Sequence, residues 1–321
     1  MNQRPHRILE IQGRKISLGR RTLVLAVLNV TPDSFSDGGL YVEPEAALAH
    51  ATRMIEAGAD WIDIGGESTR PGSKPVAAEE ELARVLPVIR ALHKKFPSLA
   101  ISIDTTKAVV ADGAVQAGAS IINDVSGLRF EPRLAEVARR YRTALILMHS
   151  RGRPETMHHP PFAQDVWRSM CEGLERSVAR ALGAGVRQSQ ILLDPGLGFG
   201  KTRRQNFEIL ASLDRLQAFR LPILVGSSRK SFVQAVSRGE GLGSRTGRGR
   251  NLSAAQLWPL RSGQRPAQAR SSWAPTLTLQ AGDAACVVAA ILAGAHIVRM
   301  HDVDCLAPAV RIADAVLQTL G

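Results

Sequence analysis

Residues 100–123 read AISIDTTKAVVADGAVQAGASIIN and hold one complete strand–helix–strand unit. Ala100–Ile103 is a short apolar run that ends on a carboxylate, Asp104. Thr106–Ala117 reads as a helix that closes at Gly118, and Ser120–Ile122 is a second apolar run, ending on Asn123. Strands that alternate with helical segments in this way build a parallel sheet.

The same unit repeats outward in both directions. Further apolar runs are Leu23–Leu28, Trp61–Ile64, Ala144–Leu147, Gln190–Leu193, Pro222–Val225 and His296–Val298. At or just past their ends stand Asn29, Glu67 (with Asp63 inside its run), Met148 with His149, Asp194, Ser228 to Lys230, and Arg299 with His301. Helical segments follow at Pro44–Ala57, Ala77–Lys95, Pro132–Tyr141, Gln164–Leu182, Asn206–Leu216, Ser231–Ser237, Ala284–Leu292 and Leu306–Leu320. Eight rounds predict an α/β chain folded as a (β/α)8 TIM barrel rather than a doubly wound sheet. Such a barrel gathers the C-terminal ends of its strands at one mouth, so these polar groups share a pocket and the chain reads as an enzyme.

Two segments lie outside the repeat. Ile8–Leu18 reads as a β-hairpin turning at Gly13-Arg14, placed to cover the N-terminal bottom of the barrel. Residues 239–281 are rich in Gly, Ser, Arg, Gln and Pro, carry Trp258 and Trp273, and show no sustained period. They are expected to form an irregular basic insertion before the last helix–strand unit of a single domain spanning 1–321.

The charge of +12 is concentrated. Arg245, Arg248, Arg250, Arg261, Arg265 and Arg270 carry half of it, with no acidic residue between Gly241 and Ala281. The first 21 residues add another +5. No recognition motif or aromatic platform accompanies this charge, so solvated arms are expected and no nucleic-acid partner. No apolar stretch reaches the roughly 18 residues of a membrane span, so no membrane partner is expected. The start, MNQRPHRILE, lacks an apolar signal region, and the three cysteines form no metal spacing or disulfide framework. A cytoplasmic location is expected.

Several motifs are distinctive. The first strand opens into Asn29-Val-Thr-Pro-Asp-Ser-Phe-Ser-Asp-Gly-Gly39, and the second into Gly65-Gly-Glu-Ser-Thr-Arg-Pro-Gly72. The sixth gives Leu193-Asp-Pro-Gly-Leu-Gly-Phe-Gly-Lys201, the seventh Val225-Gly-Ser-Ser-Arg-Lys-Ser231, and the eighth Ile297-Val-Arg-Met-His-Asp-Val303. Together they resemble the dihydropteroate synthase family across roughly residues 8–237 and 282–320. That family joins a pterin hydroxymethyl diphosphate to p-aminobenzoate and releases diphosphate, using Mg²⁺.

The resemblance implies roles for named residues. Asp194, Asn123 and Asp104 are its pterin contacts, Lys230 donates to the pterin carbonyl, and Met148 and Phe199 form apolar walls. Arg299 and His301 form its anion site, and Asn29 helps hold Mg²⁺, which prefers oxygen ligands and keeps several waters. Asp33 is placed to stabilise a pterin cation, while Phe35, Thr69, Arg70, Pro71 and Ser228 lie near p-aminobenzoate or diphosphate. Asp33, Asp104, Lys230 and Arg299 are the catalytic candidates. The loops Thr31–Gly39 and Ser68–Lys74 are expected to close over the site. The resemblance implies a homodimer through helices in this part of the barrel, where 239–281 departs from the family and puts that dimer in question.

Other motifs fail. Gly196-Leu-Gly-Phe-Gly-Lys201-Thr has Pro195 where a phosphate loop needs glycine, and Arg203 breaks a dinucleotide fingerprint. His149, His158 and His159 lack acidic or cysteine partners at zinc spacing. Asp63 and Asp302 read as structural, and Asp283 stands where the family often carries Thr or Ser. Two other readings stay open: a pterin-dependent corrinoid methyltransferase, and a synthase-like paralogue that binds pterin without turnover.

Overall fold

The protein is described from a computed structural model, which covers residues 4–31, 44–68, 73, 75–153, 156–157, 159–160, 162–243 and 275–319. An N-terminal hairpin pairs β1 (Arg7–Ile11) with β2 (Arg14–Leu18). The barrel strands follow as β3 (Leu23–Asn29), β4 (Trp61–Gly65), β5 (Ala100–Asp104), β6 (Ile121–Asp124), β7 (Ala144–Met148), β8 (Ile191–Asp194), β9 (Leu224–Gly226) and β10 (Ile297–Met300). The intervening helices are α1 (Pro44–Glu56), α2 (Ala78–Lys95), α3 (Ala108–Gln116), α4 (Leu134–Tyr141), α5 (Val166–Gly183), α6 (Arg203–Ala211), α7 (Ser231–Ser237) and α8 (Pro275–Leu292). After β10 comes α9 (Val303–Gln318). No described helix is long and apolar enough to cross a membrane.

All eight barrel strands run parallel, in the order β8-β7-β6-β5-β4-β3-β10-β9. The ring closes between β8 and β9 through a parallel bridge from Leu193 to Ile223, with the Leu193 amide donating to Pro222 at 2.9 Å. The expected (β/α)8 barrel is therefore the fold. Within each strand, alternate side chains face opposite ways. Outward residues such as Val24, Ile62, Ile101, Ile122, Leu145, Leu193 and Val298 pack under the helices in one large cluster.

A separate cluster fills the bottom of the barrel. Leu23, Leu25, Trp61, Ile121, Ile146, Leu192, Leu224 and Ile297 meet Leu9, Ile11 and Leu18 of the hairpin there. Burying an aliphatic side chain contributes roughly 1.5–3 kcal/mol, so three of them hold in place a two-stranded hairpin that is marginal in isolation. The turn differs from the expectation by one residue. Ile11 pairs with Arg14, so Gln12 and Gly13 form the connection, both at positive φ (48° and 84°). A two-residue hairpin turn needs that left-handed backbone at both positions.

The expected insertion also changes at its far end. α8 begins at Pro275, nine residues before the predicted start at Ala284 and inside the stretch read as irregular. Thr276, Thr278 and Gly282 are weak helix formers, which obscured the segment in the sequence. Gly282 lets α8 approach α7 closely, because a Cβ there would lie 1.9 Å from the Ser237 hydroxyl. Residues 244–274 lie outside the described part of the chain.

Candidate active site

Inward side chains change character toward the C-terminal ends of the strands. Above the apolar bottom come Asp63, Ser102, Asp104, Asn123, Met148, Asp194, Gly226 and Arg299. Strand register places Asp104 beside Asn123 and Met148 beside Asp194. A pocket opens at this level, lined among others by Asp104, Asn123, Met148, Asp194, Phe199, Lys230 and Arg299. Seven of the expected site residues are thus gathered around one cavity. Met148 and Phe199 pack with Met157 and the partly buried Val125 into a small apolar cluster that walls it.

Asp194 is buried, and its Oδ1 accepts the Gly196 amide at 2.7 Å. No other described residue donates a hydrogen bond to this carboxylate, which leaves Oδ2 for the pocket. Burial pushes Asp194 up to about 6, opposed by the Gly196 amide and by Lys230, Arg299 and Lys201. Gly196 is required where it stands: its φ is 65°, and a Cβ would fall 2.0 Å from the His149 carbonyl oxygen. The Lys230 stem lies along Gly198, and its ammonium sits 4.1 Å from the centre of the Phe199 ring. Burial and then the nearby Arg299 push Lys230 down to about 8.

Arg299 is engaged inside the barrel. Its Nε donates to Asp63 Oδ2 at 2.6 Å and its Nη2 to Asp104 Oδ2 at 2.7 Å. Asn123 donates from Nδ2 to the same Asp63 oxygen at 3.0 Å. Burial alone would lower the Arg299 pKa, but the two carboxylates hold it above its ordinary value. Asp104 is pushed up to about 7 by burial, with Arg299 opposing and Asp63 reinforcing. Asp63, read from the sequence as structural, is therefore part of the site: it is fully buried and ties Arg299 to Asn123. Its place as the third residue of an apolar run was the available signal, because that position points into the barrel alongside Trp61 and Gly65.

Beyond β9, Ser228 Oγ lies 3.4 Å from both the amide and Nδ1 of His301. Arg229 has a left-handed φ of 58°, unusual for a residue with a side chain. Asp283 of α8 accepts the Arg229 amide at 2.9 Å and approaches the Ser228 hydroxyl at 3.4 Å. The Arg229 guanidinium pairs with Asp302. Asp283 and Asp302 thus fix the loop that aims Lys230 inward. Asn29 ends β3 on the same mouth, in register with Gly65. Asp33, Phe35, Thr69, Arg70 and Pro71 lie outside the described residues, as does His158.

Comparison with known proteins gives a consistent picture. A family model described as "Pterin binding enzyme" matches residues 25–301. A dihydropteroate synthase of Synechocystis sp. is 41% identical over 298 residues, covering 93% of this chain and 91% of that protein. That of Escherichia coli strain K12 is 40% identical over 306 residues, 95% of each. The Yersinia pestis dihydropteroate synthase, solved with a sulfonamide drug complex, superposes with a TM-score of 0.78 at 38% identity over 97% of this chain and 99% of that one. The Xanthomonas albilineans enzyme, solved with 4-aminobenzoic acid, also gives 0.78, at 37% identity over 97% and 98%.

Proposed function

The chain belongs to the dihydropteroate synthase family, transferases of folate biosynthesis, and from that premise we propose how its barrel mouth performs the reaction. A pterin hydroxymethyl diphosphate enters with its pyrimidine edge toward Asp194 and its methylene toward the rim. The supporting observation is Asp194 itself: a buried carboxylate with one oxygen tied to Gly196 and the other open to a cavity walled by Met148 and Phe199. Such a group accepts paired N–H donors from a pterin and leaves a buried charge unpaired with anything else, which is the basis of selectivity. Lys230 donates to the pterin carbonyl. Asn123 and Asp104 border the remaining edge, with Arg299 setting the position of Asp104.

The chemistry begins with heterolysis of the methylene C–O bond, the electron pair leaving with diphosphate. Positive charge spreads over the pterin, and the buried carboxylates of Asp104 and Asp194 favour it. Asp33 is proposed to add to this stabilisation. The p-aminobenzoate nitrogen then donates its lone pair to the methylene carbon, and one N–H proton is lost to solvent. Phe35, Thr69, Arg70 and Pro71 are proposed to border the arylamine, and Ser228 and His301 to bind the leaving group from the β9 and β10 ends.

Mg²⁺ fits this reading as a companion of the diphosphate. Among the described residues no group of three or more His, Cys, Asp or Glu side chains could hold a metal. Asn29 would hold it through its side-chain amide oxygen, a ligand suited to an ion that prefers oxygen. So held, Mg²⁺ would supply charge neutralisation for the departing diphosphate.

The test is direct. Purified protein given the pterin diphosphate, p-aminobenzoate and Mg²⁺ is expected to form dihydropteroate and diphosphate in equal amounts. Tight pterin binding with no product contradicts the proposal and favours a paralogue that binds without turnover. Transfer of a methyl group to a corrinoid, with no dihydropteroate, would indicate the methyltransferase reading instead.

A further inference from the structure

Lys201 ends the Gly-Phe-Gly-Lys stretch that the sequence sets aside as a failed phosphate loop. Its side chain does not reach toward a ligand. It turns back beneath the loop, only 4% exposed, and its ammonium meets three backbone carbonyls: Gly196 at 2.8 Å, His149 at 3.1 Å and Phe199 at 3.2 Å. An ammonium has three donors, and these acceptors use all of them. The loop can converge on one point because Gly196, Gly198 and Gly200 all adopt positive φ (65°, 85° and 69°). Thr202 then caps α6, with its hydroxyl accepting the Gln205 amide at 3.2 Å.

The carbonyls bound by Lys201 belong to the residues that shape the pocket. Gly196 receives Lys201 on its carbonyl and gives its amide to Asp194. Phe199 carries the ring beneath Lys230. His149 donates its amide to the Asp194 carbonyl at 2.9 Å, joining β7 to β8 at the site. Lys201 forms no ion pair among the described residues, and Asp194 is the carboxylate whose field raises its pKa.

We propose that Lys201 is a positioning residue for the pterin carboxylate: its three carbonyl contacts lock the 194–200 loop so that Asp194 presents one oxygen to the pocket. In its charged form it also favours the ionised Asp194. The inference rests on the reading of Asp194 as the pterin acceptor. The groups facing Asp194 are Lys230, Arg299 and Lys201, and those facing Lys201 are Asp194, Lys230, Arg129 and the partly buried His149 ring. Burial drives Lys201 below the ordinary lysine range while Asp194 raises it, and three carbonyl acceptors favour the charged form. Arginine is a poor substitute, because a planar fork cannot point three donors at one converging set of oxygens.

The experiment is calorimetric titration of 6-hydroxymethylpterin between pH 5.5 and 8.5 into wild type, Lys201→Met and Lys201→Arg, with folding checked by circular dichroism. Binding by the wild type tests the pterin site itself, so its absence indicts that reading and not the role of Lys201. The expected result is a 10- to 100-fold weaker Kd for Lys201→Met at pH 7.5, with the acid midpoint of binding moved up by about one unit. Lys201→Arg is expected to recover little. Unchanged affinity overturns the proposal, and so does weaker affinity with an unmoved midpoint, which marks a merely structural lysine. If the variants do not fold, ¹⁵N NMR of the Lys201 ammonium in the wild type replaces them. A resonance that shifts as Asp194 titrates supports the inference, and one indifferent to that titration overturns it.

Discussion

Arg299 on β10 and Asp63 on β4 meet inside the barrel, Nε to Oδ2 at 2.6 Å, although 236 residues separate them in the chain. With Asp104 on its other side, Arg299 is a cation shared by two carboxylates, and Asp63 has a second oxygen, Oδ1, without a hydrogen-bond partner among the described residues. Removing one member of a buried ionic group strands the rest, at a cost of about 3–5 kcal/mol. Arg299→Ala is therefore expected to lower Tm as well as affinity for the pterin diphosphate. Differential scanning fluorimetry alongside substrate titration measures both effects. Weaker diphosphate-substrate binding with an unchanged Tm would show that Arg299 serves only the ligand.

Asp63→Asn isolates the positioning part of this network. The amide keeps the shape but removes the charge opposite Arg299 and replaces one acceptor oxygen by a donor, although Asp63 accepts from both Arg299 and Asn123. Activity is expected to fall at least about tenfold, with Asp104 held less firmly by Arg299. Steady-state kinetics at saturating p-aminobenzoate check this, and wild-type turnover would return Asp63 to a structural role.

Asp194 carries a cost in stability. Its pKa is raised from 3.8 to about 6 on folding, so between these values the folded state binds more protons than the unfolded chain. Stability from this group is consequently lost as pH rises from about 4 to about 6. A shift of this size corresponds to about 2–3 kcal/mol. Asp194→Asn is expected to raise stability at pH 7.5 by up to that amount, and the gap from wild type should shrink toward pH 4. Urea melts at the two pH values test it. A variant less stable than wild type at neutral pH contradicts the assignment of a buried charge whose burial outweighs its compensation.

Asp283 holds the Ser228–Lys230 loop from α8. Asp283→Ala removes the acceptor for the Arg229 amide, at about 1–3 kcal/mol, and frees a backbone held at φ 58°. The expected outcome is roughly tenfold weaker substrate binding, with most of it restored by Asp283→Asn, which keeps a carbonyl oxygen. Equal loss in both variants would mean that charge, not the hydrogen bond, is what matters there.

The barrel was legible in the sequence because eight apolar runs and their terminal polar residues repeat in order. Asp194, Asn123 and Lys230 stand at those ends and were visible for that reason. What stayed hidden depends on which way a side chain faces and what lies opposite. Asp63 looks like an interruption in WIDIG until strand parity turns it inward. Lys201 looks like a phosphate-binding lysine until its three donors are found on carbonyls. Asp283 sits in a helix whose first turns contain Pro, Thr and Gly, and its contact with Arg229 spans 54 residues of chain.

Residues 244–274 offer a separate test, since α7 and α8 flank them and pack together. Replacing them by a short Gly-Ser linker is expected to leave product formation within about threefold of the full chain. The oligomeric state measured by sedimentation velocity should also be unchanged by the deletion. Loss of activity on deletion would assign these residues a part in the site.

The central claim is that the Asp194 carboxylate seats the pterin. Calorimetric titration of the pterin diphosphate at pH 7.5 into wild type and Asp194→Asn measures it. At least a hundredfold weaker Kd is predicted for the variant, with folding intact. Equal affinity in the two proteins would contradict the account.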